Sequence, residues 1–148
     1  AYSVHSARHF YGCEPHHVYA VLSKEDGCEV ETHATILLDF GNGRVANLVT
    51  GFDNKYKSQQ VLWGSKGVLS LERAYALPPD FCSTLLIETQ EGQTSHQMPA
   101  CNHFEEEMRY FVANHATHAE EWRNEFLNQT RVLMKIKENE VDTKDLTR

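Results

Sequence analysis

The middle of this sequence, from about His16 to Met98, consists of short segments in which apolar and polar residues alternate. A period of two places alternate side chains on opposite faces of a β-strand. Separators as short as Gly41-Asn42-Gly43 join antiparallel neighbours, because a parallel connection needs a dozen or more residues. We therefore predict a mostly antiparallel open sheet of six or seven strands. The predicted strands are 16–23, 29–40, 44–52, 57–63, 67–73, 83–90 and a short one that ends near Met98.

Helical periodicity replaces this alternation in the first residues of the sequence. Residues 1–11 form an amphipathic pattern at 100° per residue, and Gly12 follows where a helix commonly ends. The helix is too short to be stable alone, so we expect it to dock on another element. It starts so close to the first residue that we expect the sequence to have been cut there.

Helical periodicity returns after the last strand. Asn102 and Glu105 form the pattern of a capping box, and Thr117 with Glu120 repeats it, which predicts two C-terminal helices. The remaining residues, 139–148, are charged and are expected to fray. The predicted fold class is α+β, with helices on one face of the sheet.

Composition narrows the classes of function. With 148 residues the sequence fits one domain, and its 14 basic and 21 acidic residues give a net charge of −7. That charge argues against a nucleic-acid partner, since phosphates must be neutralised by Lys and Arg. No apolar run approaches the length of a membrane span and no signal peptide is evident, so we expect no membrane partner and a cytoplasmic location. The four cysteines contain no CxxC pair, which favours free thiols over disulfides or a metal site.

The second face of the predicted sheet is also partly apolar. In the segment 29–40 most apolar residues share one face, but Leu37 falls on the other, and Val45 and Val49 oppose Ala46 and Leu48. An exposed apolar face of this kind is commonly covered by another protein surface, and twofold pairing is the commonest closed assembly. We therefore predict a homodimer through the open sheet face. Cover by loops or by neighbouring polar residues is the alternative.

Two motifs resemble ligand-binding sites, but we predict no site at either. The segment Gly41–Ala46 matches GxGxxA after an apolar strand, but residues 44–52 alternate like a strand and not like the helix that a pyrophosphate site needs. We predict a hairpin turn and no cofactor site there. His5 and His9 have the i, i+4 spacing of two zinc ligands, but the Glu beside the first His is missing, so we predict no metal site.

Tyr2, His5 and His9 share the polar face of the first predicted helix. Tyrosine and histidine can exchange protons with a substrate when their surroundings shift the pKa. Spacing alone favours a solvated helix face over a catalytic one. A second set of candidates flanks a predicted hairpin and has the chemistry to contact a polyhydroxylated ligand, although snorkelling surface groups are more common there. These candidates are Tyr56, Lys57 and Arg73.

Several segments in this order resemble the C-terminal domain of the glucose-fructose oxidoreductase/inositol dehydrogenase (Gfo/Idh/MocA) family. The resemblance covers residues 1–138, and its most specific stretch is VLWGSKGVLSLERAY. The other segments are AYSVHSARHFYGCEPHHVYA, LLDFGNGRVANLVTGFDNKYKSQQ, PACNHFEEEMRYFV and LNQTRVLMKIKE. The sequence is most similar to sugar ketoreductases and to dehydrogenases of the dihydrodiol or xylose type, because the catalytic-helix position holds Tyr2 and not histidine.

The resemblance implies a function and a site. It places the family's acid/base at Tyr2 and a substrate contact at His5, in a domain that binds a sugar-like small molecule and mediates dimerisation. It also implies NAD or NADP in the full-length relatives, held by a Rossmann domain that this sequence does not contain. We expect no cofactor and no turnover in this chain alone, unless a separate Rossmann-domain chain completes it. The alternative is a stand-alone ligand-binding or assembly module without a redox role.

Overall fold

A computed structural model describes residues 1–52 and 54–139 of the chain. The elements, in chain order, are α1 (Tyr2–Tyr11), β1 (His17–Ser23), β2 (His33–Asp39), β3 (Val45–Gly51), β4 (Gln60–Gly64), β5 (Gly67–Leu71), β6 (Thr84–Thr89), β7 (Gly92–Gln97) and α2 (His103–Glu138). Each pair of neighbouring strands is antiparallel. The predicted α+β class and the predicted seven antiparallel strands are confirmed.

The strands form two sheets and not one. The first has the order β1-β2-β3 and the second the order β4-β5-β6-β7. The described chain divides accordingly into two compact units, one formed by residues up to Asn54 and from His118 onward, the other by residues 55–117. Alternation of apolar residues identifies strands but does not specify which strands pair across a longer connection. The sequence therefore predicted the strands and their antiparallel pairing, but the prediction of one sheet did not anticipate the division into two.

In the first unit, α1 and the C-terminal part of α2 cover one face of the three-stranded sheet. The register aligns Val18 with Leu38 and Ala20 with Ile36, so these four side chains point to the same face. Leu38 and Phe40 are fully buried. The residues that complete this core are Val4 and Ala7 of α1 and Val132 and Ile136 of α2. The first helix thus docks on the sheet, as expected for a helix that is too short to be stable alone.

Helix α1 ends as its sequence predicts. Gly12 has a left-handed backbone, with φ of 63°, and its N–H donates to the carbonyl of Arg8 at 2.9 Å. A residue with a Cβ is strained in this conformation, so glycine makes the sharp end possible. The chain then turns into β1, and Glu14 lies in this connection.

The glycine-rich segment between β2 and β3 is a hairpin turn, which confirms the prediction. Gly41, Asn42 and Gly43 all have positive φ, and the N–H of Phe40 donates to the carbonyl of Arg44 at 2.9 Å across the turn. Strand β3 follows the glycines, whereas a dinucleotide site needs a helix N-terminus at that point. This segment therefore does not fit a dinucleotide pyrophosphate.

Helix α2 is one helix, so the prediction of two C-terminal helices is wrong. The first capping pattern is real: the N–H of Glu105 donates to Asn102 Oδ1 at 3.4 Å. At the second, Thr117 Oγ1 donates to the carbonyl of Asn114 at 3.1 Å inside the helix. A threonine can return its hydroxyl to the preceding turn as readily as it caps a helix, so the pattern does not by itself identify an N-terminus. The predicted charged tail lies, from residue 140 onward, outside the described residues.

The second face of the first sheet is exposed and partly apolar, as the alternation predicted. Tyr19 is 52% exposed and Val49 is 74% exposed, although both lie in regular strands. The strand register places Tyr19 opposite Leu37, and Thr35 opposite both Val21 and Val49, on this face. Within the part of the chain that the structure describes, no helix is long and apolar enough to cross a membrane.

We predict that Leu38→Ala lowers the free energy of unfolding by about 3 kcal/mol, because it leaves a cavity where a fully buried side chain packs between helices and sheet. Urea unfolding followed by circular dichroism measures the change. The control is Val30→Ala at an exposed position outside the strands, which should change the free energy by less than about 0.5 kcal/mol. Equal effects of the two substitutions would contradict the described core.

Candidate functional site

The polar face of α1 carries three side chains with acid/base chemistry. Tyr2 is 64% exposed, and His5 and His9 are exposed on the same face, while Val4 and Ala7 face the core. The rings of His5 and His9 stack, with centroids 6.4 Å apart and an interplanar angle of 24°. The structure therefore presents the sequence-predicted side chains together on one accessible surface. Their roles in binding or catalysis stay predictions.

A buried charge flanks this polar face of α1. Arg8 is only 4% exposed, although arginine is almost never fully buried without partners. Its Nε and Nη2 donate to the two carboxylate oxygens of Glu14 at 2.7 and 2.6 Å. Its Nη1 donates to Glu125 at 2.7 Å and to Gln129 at 2.8 Å, and Nη2 also reaches Glu125 at 3.1 Å. These contacts engage all five N–H donors of the guanidinium.

The contacts between Arg8 and Glu14 shift the pKa values of these two residues in the directions that favour charge. The hydrogen bonds from Arg8 hold the pKa of Glu14 below its ordinary 4.5, against the opposing effect of partial burial, and the positive charges of Arg131 and Lys135 add to the lowering. The pKa of Arg8 is raised, mainly by its hydrogen bonds to Glu14. The cluster is therefore ionic at neutral pH.

Two residues of α2 link this cluster to the first turn of α1. Glu125 Oε1, which accepts from Arg8, also lies 3.5 Å from His5 Nδ1. The side-chain amide of Gln129 accepts from Arg8 and donates to the carbonyl of Ala1 at 3.1 Å. The orientation of the polar face of α1 thus depends on α2, more than 110 residues away in sequence.

Sequence reasoning missed Arg8, Glu125 and Gln129. For Arg8 a signal existed, because it is four residues after Val4 and next to Ala7, on the side of the helix that carries the apolar stripe. A charge in such a stripe indicates a buried ion pair. No comparable signal existed for Glu125 and Gln129, since spacing within one helix does not reveal its partner in another.

The second set of candidates lies in the other unit. The guanidinium of Arg73 lies over two aromatic rings, 5.3 Å from the centroid of Tyr56 and 4.5 Å from that of Phe81. Hydrogen bonds from Arg73 and then Ser58 lower the pKa of Tyr56. Arg73 Nε is buried and lacks a hydrogen-bond partner among the described residues. The structure thus brings Tyr56, Arg73 and Phe81 together. Lys57, which follows Tyr56 in sequence, is exposed.

The described residues contain neither a cluster that could hold a metal ion nor a glycine-rich loop that fits a dinucleotide. The four cysteines are free thiols, and among residues 1–52 and 54–139 no group of three His, Cys, Asp or Glu side chains is arranged to hold a metal ion. The hairpin at Gly41–Gly43 does not fit a dinucleotide, because a strand and not a helix N-terminus follows the glycines. The chemistry available on α1 is proton exchange and hydrogen bonding.

Comparison with known proteins identifies relatives of this fold. Residues 1–70 match the family model described as GFO/IDH/MocA C-terminal domain. A dTDP-3,4-didehydro-2,6-dideoxy-alpha-D-glucose 3-reductase of Streptomyces antibioticus is 32% identical over 111 residues, which cover 75% of this chain and 34% of that protein. An enzyme of the same name from Streptomyces violaceoruber is 37% identical over 82 residues, which cover 55% of this chain and 24% of that protein.

A solved structure gives the same result. The structure of a 3-ketoreductase from Actinomadura kijaniata, in complex with TDP-benzene and NADP, superposes with a TM-score of 0.87 and 26% sequence identity. The match covers 95% of this chain and 45% of that one. The chain therefore spans less than half the length of each of these relatives.

We predict that the stabilising effect of Glu14 depends on pH. Because its folded-state pKa lies below the ordinary 4.5, its contribution is fully present above about pH 4.5 and is lost as the pH falls through the folded value. Glu14→Gln should therefore destabilise the chain by about 1 kcal/mol at neutral pH, a modest value because Glu14 is half-exposed, and by less in acid. Urea unfolding at a series of pH values measures the difference.

The control is Glu121→Gln, which removes the same charge from an exposed position of α2. It should give a small difference that stays constant across the series. A Glu14→Gln effect that is also constant from neutral pH into acid would contradict the described ion pair.

Proposed function

Because the chain belongs to the GFO/IDH/MocA family through its C-terminal domain, we propose that it is the substrate-binding half of an NADP-dependent reductase that acts on nucleotide-activated keto-sugars. The observation that carries the proposal is the accessible face of α1, where Tyr2, His5 and His9 lie together while the buried Arg8 beside them holds the helix in place. The names of the relatives suggest the substrate class, a dTDP-linked deoxy-keto-sugar.

The chemistry of such a reduction explains why this face matters. When a ketone is reduced, a hydride adds to the carbonyl carbon and a proton must reach the carbonyl oxygen. The phenol of Tyr2 would donate that proton, and His5, one turn further along, would hydrogen-bond the sugar. A hydroxyl and an imidazole at i, i+3 on one helix would contact neighbouring oxygens of the same ring.

The described residues would not hold the cofactor. The glycine-rich hairpin does not fit a pyrophosphate, so nicotinamide chemistry would come from another domain or from a separate Rossmann-domain chain. The related Actinomadura ketoreductase was solved with NADP bound, which supports NADP over NAD.

We predict that the chain binds dTDP-glucose, used as a stable probe, more tightly than it binds free glucose. Tyr2→Phe and His5→Asn should each weaken this binding about fivefold, because each removes about one hydrogen bond to the ligand. Isothermal titration calorimetry measures both affinities. The matched control is Tyr19→Phe, which removes a hydroxyl from an exposed tyrosine of β1 and should leave the affinity unchanged. Equal effects at Tyr2 and Tyr19 would overturn the assignment of the site.

The open face of the first sheet supports a separate role in assembly. The open face of the first sheet exposes Tyr19, Val21, Val45 and Val49 in regular strands, and exposed apolar surface of this kind marks interaction sites. We propose that a second copy covers this face, which would give a homodimer. This proposal holds whether the chain serves a reductase or acts as a stand-alone ligand-binding or assembly module.

We predict that the chain elutes with twice its single-chain mass and that Val49→Glu shifts it to the single-chain mass, because the introduced carboxylate would be buried without a partner in the interface. Size-exclusion chromatography with light scattering measures the mass. Val30→Glu introduces the same charge at an exposed valine outside the sheet and should leave the dimer intact. A wild-type chain of single mass at high concentration would rule out the homodimer.

A further inference from the structure

We propose that Glu125 is a positioning residue for His5: its carboxylate fixes the imidazole proton on Nδ1, so that Nε2 is presented to the ligand as a hydrogen-bond acceptor. This inference rests on the proposed function, because it assigns a role to His5 in the same ligand site. It concerns a residue of α2 that belongs to none of the segments predicted to bind substrate.

The geometry of the pair favours one tautomer. His5 Nδ1 lies 3.5 Å from Glu125 Oε1, and the two side chains are 56% and 46% exposed. A neutral imidazole carries its single proton on either nitrogen, and a nearby carboxylate stabilises the proton on the nitrogen that faces it. The other nitrogen, Nε2, then keeps its lone pair. In a sugar site such a nitrogen accepts a hydrogen bond from a hydroxyl.

The carboxylate is held in place from its other side. Glu125 accepts from both terminal nitrogens of Arg8, at 2.7 and 3.1 Å. Arg8 is itself fixed, because it is buried and its remaining donors bind Glu14 and Gln129. An exposed glutamate would ordinarily rotate freely, whereas this one has both oxygens engaged and one of them directed towards His5.

The charge of the cluster acts in the same direction. Of the two carboxylates in the cluster, Glu14 also lies near the positive charges of Arg131 and Lys135, whereas Glu125 is the one beside His5. The hydrogen bonds and neighbouring cations keep Glu14 ionised. The negative charge of the Glu125 carboxylate favours a proton on the imidazole nitrogen nearest to it, which is Nδ1 of His5.

His9 provides an internal comparison. It lies one turn after His5 on the same face and stacks on it, and its other ring contact is Phe10. Among the described residues His5, and not His9, has a carboxylate within ion-pair distance on α2. Any tautomer preference that arises from the helix itself should appear in both histidines, and one that arises from Glu125 should appear in His5 alone.

The test is the nitrogen-15 spectrum of the imidazole rings of the chain, recorded at a pH at which a titration shows both histidines to be neutral. The His5 signals are assigned by their disappearance in His5→Asn. We expect His5 to be protonated at Nδ1 and His9 to show the Nε2-protonated form that is usual for a free imidazole. In Glu125→Gln the His5 signals should shift to the His9 pattern, while Glu121→Gln should leave them unchanged.

Circular dichroism and a melting curve establish that each variant is folded, since the amide oxygen introduced by Glu125→Gln can still accept a hydrogen bond from Arg8. A His5 tautomer that is unchanged in Glu125→Gln, or that equals that of His9 in the wild-type chain, would overturn the proposal. A merely structural role of Glu125 would lower the melting temperature and leave the tautomer as it was.

A second measurement separates this proposal from the proposed function. Glu125→Gln should weaken dTDP-glucose binding severalfold in the wild-type background and have no further effect in the His5→Asn background. Equal losses in both backgrounds would show that Glu125 does not act through His5. If the wild-type chain binds no dTDP-glucose while the tautomer depends on Glu125, the proposed function is wrong and the coupling between Glu125 and His5 stands.

Discussion

The placement of α1 depends on one buried guanidinium. The helix has 10 residues, which is too short to be stable in isolation, and it presents its polar side chains outward. Val4 and Ala7 attach it to the core, but apolar contacts tolerate small rotations of a helix about its axis. The bidentate contacts of Arg8 with Glu14 and with Glu125 are directional, so they fix that rotation. The directions in which Tyr2 and His5 point are therefore a consequence of a buried charge at the edge of the same face of the helix.

The fold could be predicted from the sequence wherever a pattern has one structural meaning. Alternating apolar residues and the turns between them predicted the strands, the last of them from the turn at Glu91-Gly92, and Gly12 predicted the end of α1. The same alternation predicted that Val49 and Leu37 would share the second face of the sheet. The division of the strands into two sheets and the continuity of α2 could not be predicted in this way. Thr117 is compatible both with a helix start and with a helix interior, and only the surrounding structure decides between them.

The candidate site shows the same limit. Helical spacing was sufficient to place Tyr2, His5 and His9 on one face, because that relation is local. The residues that orient this face are distant in sequence: Glu125 is 117 positions after Arg8, and Gln129 is 121 positions after it. Likewise, the sequence placed Tyr56 and Arg73 at the flanks of one hairpin, but it predicted neither the contact between them nor the second ring beneath Arg73, that of Phe81. Local spacing identifies the residues with chemistry, and tertiary contacts determine how they are held.

The charge balance of the chain limits what Arg8 can bind. The nucleotide-linked sugar proposed as the ligand is anionic, whereas the chain has a net charge of −7, so local cations would have to meet its phosphates. Arg8 is the cation nearest to Tyr2 and His5 in sequence, but its five donors are all used and it is buried. It cannot bind a phosphate without leaving Glu14 and Glu125 unpaired, at a cost that a single new ion pair would not offset. Its role is therefore to hold α1 in place, and under the proposed function the phenol of Tyr2 and the imidazole of His5 would contact the ligand on this helix.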